Sequence, residues 1–392
     1  MSFGLTMAYY SPSSSGLLFD LGLSDEIGNV FNSLAPIMSI FGGWIVGKPV
    51  SSYGRKPSAF FVGIIAVLGW ILLSLTQKEF KWLAIASRGL LGLTVGAFSS
   101  VCPLYITELA PIENRGSYGV LNQLGIVIGA CSTYAMGIFL QWRSIALYSS
   151  IPPALLCLFI YVVPESPRFG QIAEEEEKND RLFSGNYTVP LLISLCLMFF
   201  QQFSGVNALL SNLDKLFKDS GSSIRPSVAS FLVGLSGVIA TASASPLVDY
   251  FGRKNSWKVS SVLCFVALLV ASLNEWFHWS KTIPVICLFM NNLVFGLGLG
   301  PIPWFVVPEL FPDSVRSQAM SLMTMINWGF ASAVMFFFPL MQKSIGLASS
   351  LAAYSTVCLI SFIFGLLYLP DTGGKEMGTL FNAKQQTSLL NE

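Results

Sequence analysis

The chain is a succession of apolar segments, each about as long as a helix needs to cross a bilayer, separated by short polar breaks. A crossing helix takes about 20 mainly apolar residues. Segments of that kind lie at 30–50, 57–76, 82–108, 115–138, 143–163, 188–211, 226–248, 256–275, 282–307, 316–340 and 347–369, with a weaker one at 1–19. Of 392 residues, 53% are hydrophobic and 11% charged, against about 25% charged in soluble domains. Helices satisfy their own backbone polar groups in hydrocarbon. The pattern therefore predicts an all-α integral membrane protein with 12 transmembrane helices and a lipid bilayer around it. A net charge of +1 gives no footing for nucleic acid or another polyanion.

The first segment begins at Met1 and carries Ser11, Pro12, Ser13, Ser14 and Ser15. Either helix 1 is broken and lines a cavity, or the sequence starts part-way into it. A basic n-region is missing, which argues against a cleavable signal peptide. The seven cysteines all fall in apolar runs without paired spacing, so they read as small buried hydrophobes and not as a disulfide or metal framework. No cofactor is expected. With the Tyr53–Lys56 loop on the cytoplasmic side, Lys and Arg number 13 inside and 9 outside, a modest positive-inside bias. Both termini are then cytoplasmic.

A repeat of about 200 residues organises the chain. Gly54-Arg55-Lys56 returns as Gly252-Arg253-Lys254, an offset of 198. Glu108-Leu109-Ala110-Pro111 with Arg115 returns as Glu309-Leu310-Phe311-Pro312 with Arg316, an offset of 201. Pro164-Glu165-Ser166-Pro167-Arg168 has its counterpart at 370–375. The polar stretch 168–187, with Glu174 to Glu177 and Lys178, separates the copies. The expected division is a six-helix bundle at 1–167, a short cytoplasmic linker at 168–187, a second six-helix bundle at 188–370 and a cytoplasmic tail at 371–392. Two related halves around a central cleft suit alternating access.

Polar groups inside the spans carry the chemistry. Gln123, Gln201, Gln202, Asn207 and Asn327 are amides at membrane depth, where an unsatisfied amide costs several kcal/mol. They must face protein or a wet cavity. An amide offers donors and an acceptor together, which suits a neutral polyhydroxylated solute. The rival reading is interhelical glue. Trp304 follows Gly298, Gly300, Pro301 and Pro303, which should break span 10 and expose backbone to a cavity. Its indole can face a sugar ring and donate one hydrogen bond, with Phe295 and Trp328 as further walls. Trp276 and Trp279, beside His278, read as interface residues.

Glu108 and Arg115 lie seven residues apart, about 10.5 Å along a helix. That is too far for a bond. Glu108 is expected to pair with Arg55, and Glu309 with Arg253. Simple snorkelling anchors are the alternative.

These motifs, with Arg88-Gly89, Gln201-Gln202-Phe203-Ser204-Gly205-Val206-Asn207 and Gly300-Pro301-Ile302-Pro303-Trp304, give the chain a resemblance to sugar porters of the major facilitator superfamily over nearly its whole length. The opening Phe3-Gly4-Leu5-Thr6 with Tyr9, Ser11 and Pro12 resembles its facilitative hexose and trehalose branch. The resemblance implies the major facilitator fold, with two six-helix halves around a central cavity. It implies sugar contacts at the amides and at Trp304, Phe295 and Trp328. It also implies a conformational clamp between the halves formed by Arg55, Glu108, Arg115, Glu165, Arg253, Glu309 and Arg316. The substrate so implied is a hexose. Inositol or trehalose carriage, proton symport and a non-transporting sensor are the alternatives, and the plasma membrane is the default location, ahead of endomembrane or vacuole. Proton-driven relatives generally carry an Asp in span 1. Met7 to Ser11 contain no acid, which favours facilitated diffusion.

Departures from the family pattern set further expectations. Ser51 replaces an acid that Asp249 supplies in the second half, so one clamp should be weaker. Ser211 and Asn212 replace a tyrosine pair, which puts outer-gate closure in doubt. Gly237 replaces an Asn and removes a possible contact, and Gly296 replaces a Glu.

Overall fold

The computed structural model describes residues 1–109, 115–166, 182–183, 185, 187–221 and 223–370, and among these the regular structure is helical throughout. Residues 168–181, 184 and 186 of the expected linker and the tail 371–392 lie outside the described residues. The N half contains α1 (Ser2–Ala8), α2 (Tyr10–Leu21), α3 (Asp25–Tyr53), α4 (Arg55–Leu75), α5 (Trp82–Leu109), α6 (Arg115–Phe139), α7 (Trp142–Ser149) and α8 (Ile151–Phe159). The C half contains α9 (Thr188–Phe203), α10 (Val206–Ser211), α11 (Leu213–Asp219), α12 (Pro226–Phe251), α13 (Arg253–Phe277), α14 (Ile283–Leu297), α15 (Ile302–Leu310) and α16 (Asp313–Leu367).

Ten of these stretches are long and apolar enough to span a membrane. The last, Gln318–Leu367, is two spans joined end to end. Gly346 divides it, with φ 81° and ψ 165°. The weak first segment forms α1 and α2. One face of it packs inside the protein: Tyr9, Ser11 and Ser13 are buried, and Tyr9 Oη donates to the Trp142 carbonyl at 3.0 Å. That accounts for its hydroxyl-rich sequence. Large apolar side chains such as Phe19, Phe139, Leu158 and Val162 are exposed, as the outer face of a membrane bundle requires.

Within the N half, α3 packs closely along α5. Gly92 and Gly96 of α5 form a Gly-x-x-x-Gly face. A Cβ at Gly96 would collide with the Ser39 carbonyl, and one at Gly42 with the Leu93 carbonyl. Small residues let the backbones approach where no hydrophobic force separates lipid from helix. Ser39 Oγ seals the crossing by donating to the Gly92 carbonyl at 2.9 Å. Buried Arg88 ties α5 to its neighbours by donating to the Phe31 carbonyl at 3.2 Å and the Thr6 carbonyl at 2.5 Å.

The halves meet along two seams, α3 against α16 and α6 against α12. The sequence repeat is reproduced in the backbone. Gly54 (φ 98°, ψ 171°) opens α4, and Gly252 (φ 79°, ψ 157°) opens α13. A Cβ at Gly54 would also meet a Glu165 carboxylate oxygen at 2.6 Å.

Candidate functional site

Two spans of the C half are broken where the in-span amides gather. The first break separates α9 from α10 at Gly205, whose φ of +84° suits glycine and whose missing Cβ leaves room for the Tyr354 ring. The second separates α14 from α15 at residues 298–301, where the Gly300 amide donates to the Phe295 carbonyl at 2.8 Å. The break that the glycines and prolines of span 10 predict is therefore present. It leaves the Gly300 carbonyl available to a side chain.

Four amides form a continuous hydrogen-bonded chain between these breaks. Asn207 Nδ2 donates to Gln202 Oε1 at 2.6 Å, and Gln202 Nε2 donates to Asn327 Oδ1 at 2.9 Å. Asn327 Nδ2 donates to Gln201 Oε1 at 2.7 Å, and Gln201 Nε2 donates to the Gly300 carbonyl at 2.5 Å. Gln201, Gln202 and Asn327 are buried and Asn207 is half-buried. The geometry accommodates both readings of the amides: they bind helices together, and the half-buried Asn207 end can exchange partners.

The aromatic candidates fall in two places. Trp304 is half-buried on α15, and Phe295 packs against Gly300 at the break. Trp328 follows Asn327 directly, is buried, and stands 5.3 Å from the Phe3 ring of the N half. Its Nε1 is buried without a hydrogen-bond partner. A buried donor left unmatched costs about 1–3 kcal/mol, so a ligand hydroxyl there would remove that cost. Gln123 does not join the amide chain. It is exposed on α6 in the N half, eight residues, or about 12 Å, along the helix from its first residue. An exposed amide at that depth requires water.

At the end of the bundle bearing Gly54 and Gly252, the expected pairs are in place. Arg55 Nε and Nη2 each lie 2.8 Å from one Glu108 carboxylate oxygen, with the two side chains 3% and 6% exposed. Arg253 Nη2 lies 2.9 Å from Glu309 Oε1, with 20% and 18% exposed. Arg316 donates to the Pro308 and Phe311 carbonyls. Glu165 caps α4, accepting from the Arg55 backbone N–H at 3.1 Å and from Lys56 N–H at 3.1 Å. A carboxylate on a helix N-terminus is favourable by charge as well as by hydrogen bonding. Both ion pairs join helices of one half. They are the pairs expected from charge and spacing, and the reason is topological: each Arg opens a helix that packs against its own Glu-bearing helix. The side chains of Arg115, Ser51 and Asp249 are outside those described.

The opposite end is closed by contacts between the halves that the sequence did not single out. Asn32 Nδ2 donates to Ser211 Oγ at 3.2 Å, Tyr134 Oη donates to the Leu210 carbonyl at 2.8 Å, and Arg225 Nη2 donates to the Ile138 carbonyl at 3.1 Å. Ser11 Oγ donates to Asp214 Oδ1 at 3.1 Å. Ser211, expected to weaken closure, takes part in it. Asn212 turns inward to the Ala208 carbonyl at 2.8 Å. Over Gly237, the vacant side-chain space is met by Asn292 of α14, whose Nδ2 donates to the Val233 carbonyl at 2.7 Å. Asn291 and Asn292 are a buried amide pair in span 10 that the sequence reading passed over, although they interrupt an apolar run as plainly as Asn327 does.

Comparison with known proteins places this architecture. The protein is 28% identical to Sugar transporter ERD6-like 6 of Arabidopsis thaliana, covering 97% of this chain and 87% of that one. It is 28% identical to Facilitated trehalose transporter Tret1 of Bombyx mori, covering 96% and 83%. Among solved structures, a D-xylose-proton symporter superposes with a TM-score of 0.82 at 23% identity over 96% of this chain and 97% of that one. The inward-open xylose transporter XylE from E. coli gives the same TM-score at 22% identity over 96% and 95%. The fold is the major facilitator fold. The family described as Sugar (and other) transporter matches residues 20–185 and again residues 171–380, one match for each copy of the internal repeat, and the chain belongs to that family.

Proposed function

We propose that this protein carries a neutral monosaccharide, a hexose such as glucose, across a membrane by alternating access, without a proton gradient. The observation that carries the reading is the amide chain Asn207–Gln202–Asn327–Gln201–Gly300, set between two helix breaks beside the unmatched Trp328 Nε1. It is uncharged, so it favours an uncharged solute, and each amide can donate to or accept from a hydroxyl. Trp304 and Phe295 supply apolar faces for the C–H side of a sugar ring. Gln123 reaches the solute from the N half when the two halves approach. The trehalose transporters among the relatives support sugar carriage and make a disaccharide the second reading.

The ion pairs act in this cycle as braces. They hold α4–α5 and α13–α15 in fixed registers so that each half moves as one body about the site. The test is uptake of a panel of radiolabelled sugars in cells that lack hexose transport. Saturable uptake of a hexose, competed by unlabelled hexose, is expected. Uptake restricted to trehalose or inositol, or no uptake of any sugar by protein present at the surface, would overturn the reading.

A further inference from the structure

Asp214 stands apart from the amide site, in the closed end of the bundle and between the candidate spans that end at Ser211 and begin at Pro226. It is a half-buried acid on α11 of the C half. Its Oδ1 accepts from Ser230 Oγ of α12 at 2.5 Å and from Ser11 Oγ of α2, in the N half, at 3.1 Å. Its backbone N–H donates back to the same Ser11 Oγ at 3.1 Å. One hydroxyl of the N half thus engages two atoms of a single residue of the C half, using both its donor and an acceptor lone pair. Separating the halves at this end must break that exchange and hydrate the carboxylate.

We propose that Asp214 is a proton-sensitive latch, so that closure of this end of the transporter is linked to protonation of its carboxyl group. In the closed state, burial pushes the Asp214 pKa above the ordinary aspartate value, and the hydroxyl bonds from Ser230 and Ser11 oppose that push without cancelling it. Opening returns the group to water and to its ordinary value. The proton therefore binds the closed state more tightly, and acid favours closure. The added stability is fully present below the ordinary aspartate pKa and is lost as pH rises through the raised one. For every pH unit separating the two values, the open-to-closed ratio changes tenfold between the acid and neutral limits.

The other titratable groups around the latch are few. Tyr134 of α6 lies near enough to feel its charge. Asp20, at the end of α2, is paired with Arg143 at 2.7 Å. Arg225, ahead of α12, is bonded to the Ile138 carbonyl. Lys215, Lys218 and Asp219 are exposed on α11 itself.

The test uses the full-length protein in liposomes, spin-labelled at Phe19→Cys and Lys218→Cys, two exposed positions on opposite halves at this end. The seven native cysteines are buried or half-buried, so the introduced thiols react first. Distances are read by pulsed dipolar spectroscopy from pH 3.5 to 8 without sugar. The wild-type background should show one short distance in acid and a growing longer population as pH rises. Asp214→Asn should hold the short distance at every pH. Ser11→Ala should enlarge the longer population at neutral pH and move the transition upward, because a donor that favours the charged form is gone. A flat wild-type profile overturns the latch, as does an Asp214→Asn profile that keeps the wild-type pH dependence. If that variant fails to fold, an unmoved transition in Ser11→Ala overturns it. The readout is the protein's own geometry, so it stands or falls separately from the sugar reading.

Discussion

Gln202→Leu should weaken sugar binding about thirtyfold while leaving a folded protein. Gln202 sits at the middle of the amide chain, accepting from Asn207 at 2.6 Å and donating to Asn327 at 2.9 Å. Leucine keeps the volume and removes both bonds. A carrier that must release its cargo binds near the millimolar range, about −4 kcal/mol. Losing one amide–hydroxyl contact costs about 1 kcal/mol. Releasing Asn207, whose orientation Gln202 fixes, costs about 1 kcal/mol more for its own contact. Two such losses correspond to about thirtyfold in Kd. Asn327 keeps its bond to Gln201 at 2.7 Å, so the stranded Oδ1 destabilises the fold by about 1–3 kcal/mol and no more.

The assay is a tryptophan fluorescence titration, since Trp304 and Trp328 flank the site, alongside thermal unfolding of the same sample. Asn207→Ala serves as the partial control: it removes the half-buried end of the chain and keeps the Gln202–Asn327 bond, so it should fall between wild type and leucine. A Kd within twofold of wild type in Gln202→Leu would remove the amide chain from the binding site and leave it as interhelical glue.

Other substitutions separate the remaining roles. Glu108→Gln strands the guanidinium of a nearly fully buried pair and should lower stability by about 3 kcal/mol, whereas Glu309→Gln, whose pair is about a fifth exposed, should cost about 1 kcal/mol; unfolding midpoints of the two variants check the order, and equal midpoints would refute it. Both should slow transport without changing sugar Kd, as measured by fluorescence titration. Gly205→Ala places a side chain at φ +84° and against the Tyr354 ring, so it should cost about 2–4 kcal/mol and abolish transport, read by thermal unfolding and uptake. In proteoliposomes, sugar should equilibrate and not accumulate when a proton gradient is imposed; accumulation abolished by a protonophore would overturn the uniport reading.

The spans were legible because a helix in lipid needs an unbroken apolar run, and little else in a sequence produces one. Eleven predicted segments match helices to within several residues, and Gly346 marks the join between the last two. The first was harder to read because its hydroxyls face protein: Tyr9, Ser11 and Ser13 are buried against neighbouring helices. The ion pairs were legible from charge and spacing, since a buried carboxylate needs a cation or hydrogen-bond donors to offset its desolvation. Their placement within a half was legible too, because each expected pair takes both members from one copy of the repeat. The closed end was least legible of all. Ser11, Asn32, Ser211 and Asp214 meet across separations of about 200 residues, and each one alone looks like an ordinary polar residue near a loop.

The two halves repeat in sequence but divide the work unequally. Both helix breaks and all four members of the amide chain belong to the C half. The N half brings the tighter ion pair, the close α3–α5 crossing and the buried Arg88. It meets the site's surroundings through Phe3 against Trp328. A solute held first by the C half would then be covered by the N half. Under that arrangement, substitutions in the amide chain should change affinity, and substitutions at Gln123 or Phe3 should change the balance between open and covered states. A ligand moves such a balance only by the difference in its contacts between the two states, and those differential contacts are the ones the N half supplies.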